Sequence, residues 1–211
     1  MTNRYEDNTT YPCARWDVTD VSFTCPQPLA NPFDVAFGAV FRGPNGAELS
    51  VPGFYDGGQT FVLRFSPPDV GTLAFETYAS VAALAGLRGT VEAGPPRPGE
   101  HGPVVVDAAN PQHFVYADGT PYFLLAFECD WLFALDEAQT QVLLDQVAAH
   151  GLNHIVMNVY AYDVVWPKDP TVKQEHDFSA PAVYPFDGTN DAPDFATLNV
   201  AFFQHLSLIH I

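Results

Sequence analysis

The sequence predicts a multidomain protein of the β plus α/β class. An antiparallel β-sandwich is expected over 14–93, a Pro/Gly linker over 94–103, and the first part of a (β/α)8 (TIM) barrel over 104–211. Three observations predict this. Between Val35 and Thr77, apolar residues recur at every second position in short runs separated by turn residues. Seven of the ten residues 94–103 are Gly or Pro, the composition of a stiff connector. Beyond the connector, continuous apolar runs at 122–127 and 154–159 flank a capped helical segment, which is the order of a βαβ unit with a parallel sheet.

Taken in order, Val35, Phe37, Ala39 and Phe41 mark a half-buried strand, and the turn Gly43-Pro-Asn-Gly46 ends it. A short segment reaches Val51, and Phe54-Tyr-Asp-Gly-Gly58 suits a tight reversal. Phe61, Leu63 and Phe65 alternate again until Pro67 and Pro68 break the run, and Leu73, Phe75 and Thr77 form a further strand. Past the connector, 114–116 and 122–123 flank Asp118-Gly119, a hairpin turn. The run 122–127 is apolar throughout, as expected of a strand covered on both faces. Asp136 and Gln139 form a capping pair, Leu143, Leu144 and Val147 share one helix side, and Gly151 stops the helix just after His150. A second buried strand follows at 154–159. After Trp166 the chain reads as a long loop to Asp194, and a last helix runs from Asn199 to Leu206 with Phe202 and Phe203 apolar. The tail 207–211 neither caps nor polarises that helix, and a barrel takes about 250 residues, so 104–211 is expected to be the front of a C-terminally truncated barrel.

Composition narrows the function. The 47% hydrophobic and 14% aromatic content supports a packed core, and Pro (19) and Gly (15) imply many turns. A formal charge of −17 with only 8 Lys and Arg argues against nucleic acid as a partner. No apolar run reaches membrane-spanning length, and the first ten residues lack a signal-peptide core, so a cytoplasmic protein without membrane association is expected. Cys13, Cys25 and Cys129 are odd in number and form no C-x-x-C pair, so reduced thiols are expected, with a Cys13–Cys25 disulfide as the alternative.

Working residues of such barrels lie at the C-terminal ends of the strands. The first strand end supplies Glu128, Asp130 and Trp131, and the second supplies Asn158, Tyr160, Tyr162 and Asp163. Carboxylates and an amide bond to hydroxyls while aromatic faces stack on sugar C–H faces, so these seven are the candidate substrate-binding residues. Glu128 and Asp130 would share a side in extended chain. A glycosidase, however, needs carboxyls about 5–5.5 Å or 6.5–9.5 Å apart on opposite sides of the bond, and strand neighbours approach from one direction. Sugar contact, catalysis and simple loop bracing by Asp130 all stay open. His150 and His154 have the H-x-x-x-H spacing of a metal pair, but Gly151 puts them on different elements, so neither metal nor cofactor is expected. No G-x-S-x-G or phosphate loop occurs, and the sequence shows no obvious base partner for Cys129. Trp166, Lys168, Asp169, His176 and Asp177 either wall a cleft or belong to a solvated loop.

A combination of motifs is similar to a known arrangement. Trp16, Asn31-Pro-Phe33, the strand to Phe41, Gly53-Phe-Tyr-Asp-Gly57 and Arg64-Phe65 resemble a β-sandwich domain of unknown function. That domain stands in front of apiosidase-like barrels, the type represented by glycoside hydrolase family 140. Residues 114–123, Asp130-Trp131, Gly151-Leu-Asn153, 158–163 and 188–194 resemble the start of such a barrel. The resemblance implies a retaining or inverting exo-acting glycosidase on polysaccharide side chains. It also implies that the catalytic acid and its partner carboxylate lie on later strands, and that Asp130 and Trp131 match a first-strand sugar-contact motif. The expectation is therefore the N-terminal fragment of a glycoside hydrolase, inactive by itself, with carbohydrate as its partner. The alternative is a non-catalytic carbohydrate-binding or structural β-sandwich protein.

Overall fold

The computed structural model describes residues 2–43, 46–130, 132–158, 185–189 and 192–209 of the 211. The chain is mostly β with few helices and divides into two compact units, Met1–Tyr122 and Phe123–Ile211.

The N-terminal unit is built on eight strands: β1 (Thr2–Arg4), β2 (Thr10–Ala14), β3 (Thr19–Thr24), β4 (Phe37–Arg42), β5 (Glu48–Tyr55), β6 (Thr60–Phe65), β7 (Gly71–Ala79) and β8 (Arg88–Gly94). They form one sheet in the order β1-β3-β6-β5-β4-β7-β8-β2. Strand β5 changes partner along its length. Its first part, to Pro52, pairs with β4, and Gly53, Phe54 and Tyr55 pair with β6. Pro52 has no N–H to give to a ladder, so the switch falls where pairing is weakest. The sheet thereby turns on itself and its inner rings meet. Phe41 of β4 stacks on Phe65 of β6 at 4.0 Å between centroids, and Phe23 of β3 meets Phe37 of β4 at 5.3 Å. Phe23, Phe37, Phe41, Phe61, Phe65 and Phe75 are all buried. The period-two residues of 35–77 thus supply the core.

From β3 to β8 the strand pairs are antiparallel as expected, but the sheet extends to strands before the expected start and is mixed as a whole. β1 runs parallel to β3, and β2 runs parallel to β8. Residues 2–14 carry little alternation to read, yet Tyr11 is buried, and Thr19, Val21 and Phe23 face inward. Pairing across sequence separations this long is decided by the closed core and not by local pattern. On the outward side, Arg64 makes a two-pronged pair with Asp20, its cross-strand partner, at 2.8 Å through both nitrogens. Cys13 and Cys25 are not joined by a disulfide.

A small antiparallel sheet, β9 (Val104–Val106), β10 (Phe114–Tyr116) and β11 (Pro121–Tyr122), belongs to the same unit. The Asp118-Gly119 turn joins β10 to β11 as expected. There the Asp118 carboxylate bonds His101 Nδ1 at 2.7 Å and accepts from the Thr120 N–H at 2.9 Å. The bond with His101, then that from Thr120, pulls the Asp118 pKa down from 3.8 to about 2. A carboxyl whose folded pKa is depressed adds stability above its unfolded value and loses that contribution as the pH falls through its folded value. The Asp118 contribution is therefore expected to be lost progressively between about pH 5 and about pH 1. A carbon-detected NMR titration should place its midpoint near 2, and His101→Ala should move the midpoint back towards 3.8.

The C-terminal unit opens with β12 (Ala126–Glu128), helix α1 (Glu137–Ala149) and β13 (His154–Val156), and β12 and β13 pair in parallel. A 3-10 turn at Leu132–Ala134 precedes α1. Asp136 accepts from the Gln139 N–H at 2.8 Å, and Gln139 Oε1 accepts in return from the Asp136 N–H at 3.2 Å. This is the capping box read from the sequence. Asp136→Ala is expected to cost about 1 kcal/mol, measurable by thermal unfolding followed at 222 nm. Gly151 ends the helix at φ 72, a left-handed conformation that suits a residue without Cβ. Thr140 and Val147 are buried, with Leu143 and Leu144 half-buried on the same stripe.

A hairpin of β14 (Asp187–Thr189) and β15 (Ala192–Asp194) precedes helix α2 (Val200–Ile209). Asn199 caps α2 by accepting from the Phe202 N–H at 3.3 Å. Phe202, Leu206 and Phe133 form a small buried cluster with Met157 packed against it. Phe203 is 39% exposed, so only one of the two adjacent phenylalanines is core. The helix also extends past Leu206, because Ser207, Leu208 and Ile209 continue it.

A correction concerns 122–127, which is not one buried strand. Tyr122 ends β11, Ala126 begins β12, and the three residues between belong to no strand, with Phe123 76% exposed. Tyr122 is taken by the β10 hairpin, and the side chain of Asn153 binds the backbone of Phe123 and Leu125. Of the expected strand 154–159, the structure gives His154–Val156, and Val159 lies outside the described residues.

Candidate functional site

The candidate site is made by the parallel pair β12 and β13. In register, Ala126, Phe127 and Glu128 face His154, Ile155 and Val156. The pairing does not stop at the strand ends. The Cys129 N–H donates to the Val156 carbonyl at 2.8 Å, and the Asn158 N–H donates to the Asp130 carbonyl at 3.3 Å. Backbone bonds therefore set Glu128, Asp130 and Asn158 side by side at the C-terminal edge of the pair, and all three are exposed. Asp130 stands in the turn after β12, so the shared side expected of it and Glu128 in extended chain does not carry over. Trp131, Tyr160, Tyr162 and Asp163 lie outside the described residues, as do Trp166, Lys168, Asp169, His176 and Asp177.

Asn153 is not among the residues the sequence pattern points to, yet it ties the other end of this strand pair. Its Oδ1 accepts from the Leu125 N–H at 2.9 Å, and its Nδ2 donates to the Phe123 carbonyl at 2.8 Å. Its own N–H donates to the Leu125 carbonyl at 3.0 Å. An amide side chain thus does the work of one more residue of ladder, and only Asn or Gln carries both partners. The signal lay in its position, between the helix-ending Gly151 and the start of the strand.

Chemically, the edge offers two carboxylates and an amide to hydroxyl groups. His150 bonds the Gln146 carbonyl through Nδ1 at 2.8 Å at the end of α1, whereas His154 lies in β13, so the two stand on different elements. Among the described residues no cluster of three or more His, Cys, Asp or Glu could hold a metal ion. Burial pushes the Cys13 thiol upward, which opposes a nucleophilic role. In the N-terminal unit, Phe41, Leu49, Val70 and Leu73 line an apolar cleft of about 240 Å³. Its rim carboxylates, Glu48 and Asp69, are tied to Arg42 and Arg15.

Comparison with known proteins adds what geometry alone does not carry. Residues 12–80 match the model of a domain of unknown function, DUF5060. No curated protein matches the chain. The chain is similar to the crystal structure of a protein from Bacteroides vulgatus ATCC 8482 that is provisionally described as a glycoside hydrolase. The TM-score is 0.76 at 28% identity. The match covers 96% of this chain and 38% of that one. The likeness runs through both units.

Proposed function

We propose that this chain is the front of a glycoside hydrolase of the apiosidase-like, family 140 type. In this reading 14–93 is a β-sandwich, 94–103 is the connector, and 104–211 begins a (β/α)8 barrel. The observation that carries the proposal is the 28% identity over 96% of the chain to a protein provisionally described as a glycoside hydrolase, of which this chain spans 38%. The parallel β12–α1–β13 unit supports it, because it presents polar residues at the strand ends where such barrels bind substrate.

Glu128, Asp130 and Asn158 then contact sugar hydroxyls, and Trp131, Tyr160, Tyr162 and Asp163 are assigned to substrate binding with them. The acid and its partner carboxylate come from elsewhere in the complete barrel. Neighbours on one strand end reach the sugar from one direction, whereas hydrolysis needs a carboxyl on each side of the scissile bond.

Reading the source gene past the codon for Ile211 is expected to reveal further coding sequence long enough to close a barrel. The product of the whole reading frame should release sugar from apiose-containing oligosaccharides. Asp130→Asn in that product should lower kcat/KM by roughly 10–100-fold, the scale of a lost substrate-positioning contact. A full product that hydrolyses no glycoside in a broad panel, or an Asp130→Asn variant with unchanged kcat/KM, would overturn the reading.

A further inference from the structure

We propose that the outer face of β4, β5 and β7 is a binding platform for a neutral sugar ring, centred on Tyr78. Strand side chains normally stand away from the sheet. Tyr78 does not. It is the cross-strand partner of Gly38, and Gly38 pairs on its other side with Pro52 of β5. The Tyr78 hydroxyl nevertheless comes within 3.5 Å of Ser50 Oγ, on β5. Two inter-strand steps, each about 4.8 Å, separate those strands. The side chain can reach that far only by lying across β4.

Gly38 permits this. A Cβ at that position would collide with the Tyr78 ring tip and with the Val51 carbonyl. Gly38 is accordingly buried, although it belongs to the outward row of β4, in which Val40 is half-buried and Arg42 exposed. The underside of the ring covers the glycine, and Tyr78 remains 41% exposed. The result is an aromatic plate laid on a sheet, a shape that fits the C–H face of a pyranose or furanose.

The surroundings decide the chemistry. Ser50 Oγ and Tyr78 Oη touch at the long limit of a hydrogen bond, so both retain capacity for ligand hydroxyls. The charges on this face come as pairs: Arg42 with Glu48 at 2.6 Å, and Arg88 with Glu76 at 3.2 Å. Glu92, farther along the outward row of β8, adds a negative charge, so this face carries no excess of positive charge. It would not repel a neutral polyol, and it offers no free positive charge for an acidic sugar.

The test is native gel electrophoresis of the 211-residue chain through gels containing arabinogalactan, xyloglucan, galactomannan or polygalacturonate. At least one neutral polymer should slow the chain, and polygalacturonate should not. Tyr78→Phe should keep most of the retardation, and Tyr78→Ala should weaken it about tenfold or more, as for loss of a central aromatic anchor. Unfolding curves verify that Tyr78→Ala is folded. Should it not be, Ser50→Ala decides, with an expected weakening of a few-fold at an exposed position. No retardation by any neutral polymer, equal retardation by polygalacturonate, or retardation untouched by both substitutions would overturn the proposal. The platform lies in the N-terminal unit and draws on none of the barrel residues, so it and the hydrolase reading fail independently.

Discussion

Phe23→Ala is expected to lower the unfolding free energy of the N-terminal unit by about 3–5 kcal/mol. Phe23 is 1% exposed and takes ring contacts from three directions. Tyr5 stacks on it at 4.7 Å, Phe37 of β4 meets it edge-on at 5.3 Å, and Phe75 of β7 does so at 6.4 Å. Truncation removes the hydrophobic transfer term, leaves a cavity between strands that cannot collapse independently, and strips three rings of a partner. Domains of this size commonly hold only about 5–15 kcal/mol in total, so the variant should be largely unfolded at moderate urea. Phe23→Leu keeps most of the volume and should cost under about 2 kcal/mol. Val104→Ala, at a 43% exposed position, should stay within about 0.5 kcal/mol. Urea titration followed by tryptophan fluorescence measures all three. A Phe23→Ala loss below 1 kcal/mol would mean that the core is not organised around this ring.

What could be read from the sequence, and what could not, follows the range of the forces involved. The inward rows of β4, β6 and β7 were legible because period two is imposed by the strand itself, whatever it pairs with. The Asp136–Gln139 capping box and the Gly151 stop were legible because their chemistry is confined to one helical turn. The parallel placement of β1 and β2 was not, since it depends on edges that exist only once the core has closed. Nor was the partner switch of β5 at Pro52. The apolar run 122–127 misled for a related reason: continuous hydrophobicity reports neither period nor partner. Its first residues are claimed by the β10 hairpin and its middle by Asn153. At the site, the strand-end rule placed Glu128, Asp130 and Asn158 at one edge, and the backbone bonds of Cys129 and Asn158 do bring them together. The Tyr78–Gly38 cover is not legible in the sequence, because nothing at position 38 tells a bulge from a glycine beneath a ring.

Asn153→Ala is expected to destabilise the C-terminal unit by about 2 kcal/mol, from two side-chain hydrogen bonds worth about 1 kcal/mol each. The loss should also reach the candidate site. Asn153 clamps the backbone of Phe123 and Leu125 at the start of β12, and Asn158 meets Asp130 at the far end of the same ladder. A parallel pair only three residues long is expected to loosen when one end keeps only the backbone bonds of residues 153 and 154 to the Leu125 carbonyl. The amides of Cys129 and Asn158, which donate across that ladder, should therefore exchange faster with deuterium in the variant. The amides of Val21 and Phe75, in the other unit, should exchange as before. Asn153→Asp keeps the acceptor for Leu125 but sets a carboxylate against the Phe123 carbonyl, so it should recover no more than half the loss. On the proposed hydrolase reading, Asn153→Ala in the product of the whole reading frame should raise KM through the displaced Asp130 and Asn158, with a smaller effect on kcat. Unchanged exchange at Cys129 and Asn158 would separate the clamp from the site and leave Asn153 as a local tie. Faster exchange with a matching rise in KM would make it the residue that positions the sugar-facing edge.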